Sequence, residues 1–365
     1  MKISFFLPHL KIGGVERSFF ILAKTLEDRG HSVNIITVGK SSYIKNNSFS
    51  VPIINLNKRK VSTSIFYLAK YLSKNNIDIV ISAQYYANIG ILIAQNFSSH
   101  KPKIIITERT HLNESLKELN VFKRLILKLL ISIFYKNADY IVGNSNSVCK
   151  SIISTTKINK KNIKLILNPT FVPEILQKAE EPVIEDWIQS SKEPIILTVG
   201  RLSSQKNISL LIDSFSEVLE IKKSKLLIIG DGPQRKILES KVSSMNLSKE
   251  IKFIGFSSNP YKYFKYCSVF VLTSKFEGLP NVLIESQALG LPIVTTDSPG
   301  GSREVVSDGR SGLLVKNINK KEISKNIIEL IDNNDLRIKL IQEGKKSSER
   351  FTPDICADNF ESLFN

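Results

Sequence analysis

The segment KFEGLPNVLIE, residues 275–285, joins a loop carboxylate to a helix carboxylate through a proline. Proline suits the first helical position, where its missing N–H would have no partner, so the sequence predicts a helix that begins at Pro280. The free amides of such a first turn bind phosphate or sugar oxygens. Glu277 would lie beside those amides, and Glu285 would lie about 8 Å away along the helix, at roughly 1.5 Å per residue.

Two carboxylates with free amides between them suit a ligand that carries hydroxyls at both ends and negative charge in the middle. A nucleoside-diphosphate sugar has this form, with a hydroxylated hexose, a diphosphate and a ribose diol. Each carboxylate can accept hydrogen bonds from hydroxyls, and cations and amides remain for the diphosphate. The segment therefore predicts a nucleotide-sugar site.

The cations for such a site come upstream, in the stretch VGRLSSQKN of residues 199–207. It follows an apolar run that predicts a buried strand, and ligands of open α/β sheets gather at the carboxyl ends of strands. Arg201 offers a planar fork and Lys206 a compact charge. Taken alone, the two are more often a solvated surface pair. Together with the two glutamates, they favour phosphate binding.

Apolar runs alternate with helical patterns along the whole chain, in two β-α series. This alternation predicts an α/β protein with two doubly wound parallel sheets, and 365 residues suffice for two cores. The expected domains are residues 1–180 and 190–350, with a C-terminal helix at about 351–365 that packs back on the first. The predicted strands are Ile3–Leu7, Val33–Thr37, Ile77–Ser82, Ile104–Thr107, Tyr140–Val142, Lys164–Leu167, Ile195–Val199, Leu226–Ile229, Ile251–Ile254, Val269–Leu272, Ile293–Thr295 and Leu313–Val315.

Five motifs in a fixed order carry a family resemblance. They span most of residues 194–315, and a further match comes at GGVER, residues 13–17. This order resembles that of the retaining glycosyltransferases of family 4, which have the GT-B fold of two Rossmann-like domains facing across a cleft. The motifs are GRLSSQKN (200–207), GDGP (230–233), EGLPNVLIE (277–285), DSPGGSRE (297–304) and DGRSGLLV (308–315).

The resemblance implies a role for each matching residue. Arg201 and Lys206 match the clamp on the donor diphosphate, Glu277 the carboxylate at the donor sugar, and Glu285 the carboxylate on the ribose. It also implies a metal-independent, front-face transfer without a cofactor, in which the departing phosphate helps to deprotonate the acceptor. The further donor-binding residues are Gly14, Phe256, Gly278, Leu279, Asn281 and Val282.

The first domain is expected to bind the acceptor. Gly13 and Gly14 follow the first predicted strand and start a helical pattern, which lets a backbone approach a ligand at a helix N-terminus; a plain tight turn is the alternative. Another strand ends in ionisable groups, and many members of the resembled family place a functional basic residue there. The acceptor-side candidates are His9, Gly13, Glu108, Arg109 and His111, of which His111 is also a catalytic candidate.

Positive charge is concentrated in the first half. Residues 1–190 carry 26 Lys and Arg against 13 Asp and Glu, a net charge of +13, whereas residues 191–365 carry 25 against 21, a net charge of +4. Such an excess attracts anionic partners. No nucleic-acid-binding motif accompanies it, so an anionic membrane surface or a lipid-diphosphate acceptor is the better candidate.

The segment 115–136 predicts one amphipathic helix on which Lys117, Arg124 and Lys128 form a basic stripe. Docking on lipid headgroups is one interpretation, and a core helix with a solvated stripe is the other. With no signal peptide and no apolar run long enough to span a bilayer, we expect a cytoplasmic protein that is peripheral on the inner face of the cell membrane.

The residue sequences of the motifs are most similar to those of transferases that build lipid-linked envelope glycans. The expected reaction moves a hexose or N-acetylhexosamine from a nucleoside-diphosphate sugar to a glycan or polyprenyl-diphosphate-linked acceptor in bacterial envelope polysaccharide synthesis, and we expect the donor to be a UDP-sugar. A GT-B sugar-nucleotide epimerase and a non-catalytic nucleotide-binding scaffold stay as alternatives. Three cysteines without C-x-x-C spacing indicate neither a disulfide framework nor a zinc site.

Overall fold

The structure, a computed structural model, describes residues 1–10, 13–39 and 51–365, with the side chain of Asp308 left out. It divides into two compact units. The first contains Met1–Thr170 together with Phe351–Asn365, and the second contains Phe171–Arg350. The division lies ten residues before the expected end of the first domain at 180. The difference arises because helix Glu174–Ala179 packs on the turn Tyr261–Tyr266 of the second unit.

A parallel sheet of seven strands forms the centre of the first unit, in the order β3-β2-β1-β4-β5-β6-β7. Its strands are nearly continuous apolar runs, as expected for a sheet covered on both faces. The strands are β1 (Lys2–Phe6), β2 (Ser32–Thr37), β3 (Ile53–Asn55), β4 (Ile79–Ala83), β5 (Lys103–Glu108), β6 (Tyr140–Gly143) and β7 (Ile163–Leu165).

Two apolar clusters cover the two faces of this sheet. One contains Phe5, Phe19 and Phe360, and the other contains Phe6, Leu92 and Tyr135. Successive residues of a strand point to opposite faces, so Phe5 and Phe6 enter different clusters. The helices before the second unit are α1 (Gly14–Asp28), α2 (Val61–Asn75), α3 (Tyr85–Asn96), α4 (Leu112–Lys117), α5 (Val121–Phe134) and α6 (Asn146–Thr156).

The second unit contains a parallel sheet of six strands in the order β10-β9-β8-β11-β12-β13. These strands are β8 (Ile195–Val199), β9 (Lys225–Ile229), β10 (Ile251–Gly255), β11 (Val269–Leu272), β12 (Ile293–Thr296) and β13 (Leu313–Val315). Its helices are α7 (Glu174–Ala179), α8 (Asp186–Gln189), α9 (Ile208–Ile221), α10 (Arg235–Ser244), α11 (Asn281–Ala288), α12 (Ser302–Val305), α13 (Lys320–Asp332) and α14 (Asn334–Ser348).

The chain then returns to the first unit as α15 (Pro353–Glu361). Phe360 is fully buried in the cluster around Phe5 and Phe19. At the surface, the guanidinium of Arg29 in α1 pairs with three carboxylates of this segment: Asp354, Asp358 and Glu361. The last residues therefore complete the core beside α1.

Every predicted strand lies on an observed one, but one strand was not predicted. β3 has three residues, as do the predicted β7 and β13, so its length does not explain why it was missed; its parallel pairing with β2 identifies it. The start of α11 also differs from the prediction. Pro280 is the residue before the helix, with an extended backbone, and the first helical residue is Asn281.

The single helix predicted over residues 115–136 is wrong, because two helices occupy that segment. α4 ends at Lys117, and Asn120 starts α5 by accepting a hydrogen bond from the amide of Lys123 at 2.9 Å. Asparagine is a strong N-cap, so a new helix begins there. Lys117, which pairs with Glu114 at 2.8 Å, thus lies on a different helix from Arg124 and Lys128, and the three form no common stripe.

The burial of α5 is also lower than expected for a helix that is apolar around most of its circumference. Among its residues only Ile131 is buried, whereas a ridge of apolar side chains at helical spacing is exposed. Phe122 is 74% exposed and Leu125 and Leu129 are each 60% exposed. The rest of the ridge consists of Val121, Ile126 and Ile133.

Candidate active site

The predicted donor residues of the second unit gather at the carboxyl edge of its sheet. Arg201 follows β8, Phe256 follows β10, and Glu277 lies in the loop between β11 and α11. β8 and β11 are neighbours in the sheet, so Arg201 and the loop of Glu277 leave it side by side. This is the edge where open α/β sheets bind ligands.

Lys206 and Glu277 form an ion pair at this edge. The Lys206 ammonium lies 2.6 Å from Oε1 of Glu277, and the Ser274 hydroxyl donates to the same oxygen at 2.7 Å. Both charged side chains are largely buried, and such charge-assisted hydrogen bonds are short and strong. The pair fixes the position of the carboxylate, with the cation directly beside it.

Backbone contacts hold the two loops together. The amide of Lys275 donates to the carbonyl of Gln205 at 2.8 Å, and the side-chain amide of Gln205 donates to the carbonyl of Phe276 at 3.0 Å. The Thr273 hydroxyl donates to the carbonyls of Lys206 and Asn207. Four hydrogen bonds thus connect the cation loop directly to the carboxylate loop.

Two motif glycines allow close backbone approaches that support these loops. A Cβ on Gly230 would lie 2.0 Å from the carbonyl oxygen of Gly200, and one on Gly300 would lie 2.6 Å from that of Glu277. Both glycines have φ of +137°, which disfavours other residues. GDGP therefore supports the Arg201 loop and DSPGG supports the Glu277 loop. The motifs themselves are the only sequence signal for this packing role.

Glu285 lies on α11, one turn from its start, and is buried. The Tyr261 hydroxyl donates to its Oε1 at 3.2 Å, a partner that sequence analysis missed because 24 residues separate the two. Around it, Gly278 and Leu279 are buried, and Asn281 and Val282 are half-buried in the first turn. The structure thus brings the expected cradle of residues 278–282 and both carboxylates together.

Arg201 and Phe256 are the exposed members of the predicted donor set. In the described part of the chain, the guanidinium of Arg201 forms no ion pair, and its planar fork of donors is exposed. Phe256 is 56% exposed directly after β10, an unusual place for a large aromatic ring. A fork-shaped cation and an aromatic face lie at the same sheet edge as Lys206 and Glu277.

In the first unit, α1 begins at Gly14 with Gly13 as its N-cap residue, as the glycine pair predicted. His9 follows β1 and is half-buried. Their neighbours Lys11 and Ile12 lie outside the described residues. These candidates lie at the carboxyl end of β1, two strands from β5.

Glu108 ends β5 and is buried, with 3% of its surface exposed. Its Oε1 accepts hydrogen bonds from the Tyr135 hydroxyl and from the side-chain amide of Asn88, the latter at 3.0 Å. Burial raises the pKa of the Glu108 carboxyl to about 7, although both hydrogen bonds favour its ionised form. Neither Tyr135 nor Asn88 was a sequence candidate.

Arg109 is also buried, but it faces the other side of the sheet. Its guanidinium stacks over the ring of Phe19 at 4.5 Å and donates to the side-chain oxygen of Asn168 at 2.5 Å. Burial lowers its pKa to about 10. His111 caps α4 instead, accepting a hydrogen bond from the amide of Glu114 at 3.4 Å, and its burial lowers its pKa. Its role as a catalytic group stays a prediction.

The described residues contain no group of three or more His, Cys, Asp and Glu side chains that could hold a metal ion. No described helix is long and apolar enough to cross a membrane. 

Two family models match the chain and together span most of it. The model described as Glycosyltransferase Family 4 matches residues 12–170, and the model described as Glycosyl transferases group 1 matches residues 181–347. The division between them coincides with the division of the structure into two units.

Curated relatives agree with these matches. A Campylobacter jejuni protein named N-acetylgalactosamine-N,N'-diacetylbacillosaminyl-diphospho-undecaprenol 4-alpha-N-acetylgalactosaminyltransferase is 32% identical over 72% of this chain and 70% of its own length. A second C. jejuni protein, an alpha-1,4-N-acetyl-D-galactosaminyltransferase named for a GalNAc-bearing diNAcBac-PP-undecaprenol, is 28% identical over 96% of this chain and 94% of its own length.

Among solved structures, Anabaena HepE in complex with UDP-glucose superposes with a TM-score of 0.83 at 18% identity. The likeness covers 99% of this chain and 98% of that one. At this identity it establishes the fold.

Proposed function

This chain belongs to glycosyltransferase family 4 and has the GT-B fold, and we propose that it moves a hexose or N-acetylhexosamine from a UDP-sugar to a lipid-linked glycan. The observation that carries this proposal is the Lys206–Glu277 pair, held at 2.6 Å at the carboxyl edge of the second sheet beside the exposed guanidinium of Arg201. Neighbouring cations and carboxylates at one sheet edge suit the diphosphate and the hydroxyls of one donor.

Each side chain has a separate part in donor binding. Glu277 accepts hydrogen bonds from hydroxyls of the donor sugar, and buried Glu285 accepts them from the ribose. Arg201 and Lys206 bind the diphosphate, while the exposed ring of Phe256 stacks on the base. Because Lys206 already contacts Glu277, it lies between the sugar and the diphosphate, where the bond breaks.

The cations also lower the barrier. Negative charge on the departing nucleoside diphosphate grows as the glycosidic bond breaks, so its attraction to Arg201 and Lys206 is greatest in the transition state. These two side chains and the amides of the first turn of α11 supply this stabilisation without a metal ion.

The reaction retains the anomeric configuration in this proposal. Oε1 of Glu277 is already engaged by Lys206 and Ser274, which favours a binding role for this carboxylate over attack on the sugar. The acceptor hydroxyl then attacks from the side on which the diphosphate departs, and its proton passes to a phosphate oxygen.

The acceptor is a lipid-linked glycan of bacterial envelope polysaccharide synthesis. Both Campylobacter relatives are named for acceptors built on undecaprenyl diphosphate. The first half of this chain carries a net charge of +13, which attracts an anionic lipid diphosphate.

The exposed ridge of α5 supports membrane docking in this proposal. Val121, Phe122, Leu125, Ile126, Leu129 and Ile133 would enter the headgroup region. The same segment carries Lys123, Arg124, Lys128 and Lys136 and no Asp or Glu. An apolar helix face flanked by cations is typical of helices that lie in the interface of an anionic bilayer. The enzyme would thus be peripheral on the inner face of the cell membrane.

Liposome co-sedimentation tests the docking. Replacing Phe122, Leu125 and Leu129 together with serine should abolish sedimentation with vesicles of anionic lipid, because their apolar surface no longer enters the bilayer. A matched control replaces three exposed isoleucines of the second unit, Ile184, Ile221 and Ile237, with serine. Equal loss in both variants, or none in the first, would contradict docking through α5.

A donor screen tests the reaction. Nucleotide release is measured with UDP-, GDP- and ADP-sugars in the presence of EDTA. We expect nucleotide release from at least one UDP-sugar, at the same rate with EDTA as without it. An absolute need for Mg²⁺ or Mn²⁺ would overturn the metal-independent mechanism. An epimerase would convert the donor sugar without needing an acceptor. A scaffold would neither convert the donor nor release nucleotide from it.

A further inference from the structure

A tyrosine from a separate turn of the second unit contacts the carboxylate of Glu285. Tyr261 begins the turn Tyr261–Tyr266, which comes between β10 and β11, and its hydroxyl donates to Oε1 of Glu285 at 3.2 Å. Both residues are buried, with 5% of Tyr261 and 6% of Glu285 exposed. A hydrogen bond to a carboxylate is stronger than one between two neutral groups. This contact therefore helps to decide where the carboxylate of Glu285 lies.

The backbone of Glu285 is fixed by packing, but the end of its side chain is not. α11 buries the residues on both sides of it, from Leu283 to Ala288. Beyond the backbone, a glutamate side chain can still rotate about several bonds. A ligand that must immobilise such a side chain binds more weakly, because the lost rotational freedom opposes binding. A hydrogen bond that already holds the carboxylate removes this cost.

Tyr261 is itself held by its ring and by its backbone. The ring centroid lies 6.2 Å from that of Phe264, which stacks at 6.0 Å on Phe270 of β11. The backbone amide of Tyr261 donates to the side-chain oxygen of Asn259 at 3.1 Å. The side-chain amide of Asn259 donates to the carbonyl of Lys178 in α7 at 2.8 Å. The phenol that contacts Glu285 is thus supported by β11 on one side and by α7 on another.

These contacts form a continuous series of hydrogen bonds from α7 through Asn259 and Tyr261 to Glu285. All of its members belong to the second unit, which also contains the proposed donor site. A buried carboxylate needs a hydrogen-bond donor for stability alone. A role in nucleotide binding therefore predicts something that stability does not, namely an effect that depends on the ribose hydroxyls.

Resting on the proposed function, we infer that Tyr261 is a positioning residue for the donor: its hydroxyl holds the carboxylate of Glu285 where the ribose diol meets it. Tyr261 acts through Glu285 and does not contact the reacting sugar. The ribose contact exists before the reaction and persists in the transition state. Its weakening therefore raises the KM for the donor and leaves kcat unchanged.

Calorimetry with two nucleotides tests the inference on Tyr261→Phe, which keeps the ring and removes only the hydroxyl. The probes are UDP and an analogue of UDP that lacks both ribose hydroxyls. UDP binding should weaken by about threefold to tenfold, the effect of ordering one flexible side chain on binding. The affinity for the analogue should be unchanged, because the analogue offers Glu285 no diol. Equal weakening for both nucleotides would overturn the inference, since the hydroxyl would then serve only the fold.

Tyr263→Phe is the matched control, because Tyr263 lies in the same turn and is also 5% exposed. It should bind UDP and the analogue as the wild type does. A second control uses Glu285→Ala, in which the carboxylate is gone. Adding Tyr261→Phe to that variant should cause no further loss of UDP affinity. A further loss as large as the one in the wild-type background would show that Tyr261 does not act through Glu285.

Steady-state kinetics with a UDP-sugar separate this inference from the proposed function. Tyr261→Phe should raise the KM for the donor by the same factor as it weakens UDP binding, at unchanged kcat. A lower kcat at unchanged KM would contradict the positioning role. If the wild type bound no UDP and released none from any UDP-sugar, the proposed function itself would fail, and this inference with it. If the wild type bound UDP and Tyr261→Phe bound it equally well, the inference alone would fail.

Discussion

At Glu277, the carboxylate accepts a hydrogen bond from a lysine 71 positions earlier in the chain, and this contact lies at the centre of the proposed donor site. The sequence predicts that Lys206 and Glu277 lie in one site, because the two strands before them are expected to end at the same sheet edge. The two residues are expected to contact different parts of the ligand. The direct contact could not be predicted, since it depends on how two loops pack.

Lys206→Ala and Arg201→Ala should each reduce transfer by about 2–4 kcal/mol of transition-state stabilisation, by analogy with lost oxyanion donors. Both variants remove a cation from the departing diphosphate. Steady-state kinetics with a UDP-sugar measure the effect. The exposed Lys249→Ala, on the same unit, provides the control. A loss below twofold in both active-site variants would remove them from the diphosphate site.

Glu285→Ala and Glu277→Ala should change different quantities, the affinity for UDP and the turnover rate respectively. Glu285 makes a ribose contact that already exists before reaction, so its loss should weaken UDP binding. Glu277 acts on the reacting sugar, so its loss should mainly lower turnover. Calorimetry with UDP compares the affinities. Equal UDP affinity for wild type and Glu285→Ala would contradict the ribose assignment.

Glu108 should make stability depend on pH. Its pKa is raised by burial from 4.5 to about 7, so the folded state holds a proton that the unfolded state has released between these values. Stability contributed by the protonated form is therefore lost as pH rises through about 4.5 to 7, by roughly 3 kcal/mol in all. Glu108→Gln should unfold at a higher temperature than wild type at pH 8, with a smaller difference at pH 5. A pH-independent difference would contradict the raised pKa.

At the scale of elements, the sequence predicted the strands better than the helices. Parallel strands covered on both faces are largely apolar, so twelve of them were recognised, whereas β3 was missed although it is no shorter than β7 or β13. The failure at residues 115–136 has a local cause. Asn120 caps a new helix, and a hydrophobic pattern that runs through both helices hides this break.

The motif glycines let neighbouring backbone segments approach closely, and substituting one of them tests this role. Gly300→Ala would place a Cβ 2.6 Å from the carbonyl oxygen of Glu277, so the Glu277 loop must shift. Displacements of about 1 Å at a reacting group cost on the order of 100-fold in rate. We expect donor turnover to fall at least about tenfold. Gly309→Ala is the matched control, because it also has positive φ but meets no atom within 4 Å. Equal losses would show that backbone strain alone is responsible.

At the scale of the whole molecule, the sequence predicted two α/β units and their approximate extents. The alternation of strands and helices carries that information over long stretches. The sequence did not predict that most of α5 is exposed. A helix that is apolar around most of its circumference is usually buried, and only the packing of its neighbours shows that this one is not.

The proposed function requires that a sugar passes from a UDP-sugar to a sugar-bearing lipid with its anomeric configuration kept. The most direct measurement incubates the protein with a ¹³C-labelled UDP-sugar and a prenyl-diphosphate-linked sugar, and analyses the lipid by mass spectrometry and NMR. We predict a lipid heavier by one labelled sugar whose anomeric configuration equals that of the donor. An unlabelled lipid, or a labelled product of inverted configuration, would contradict the account.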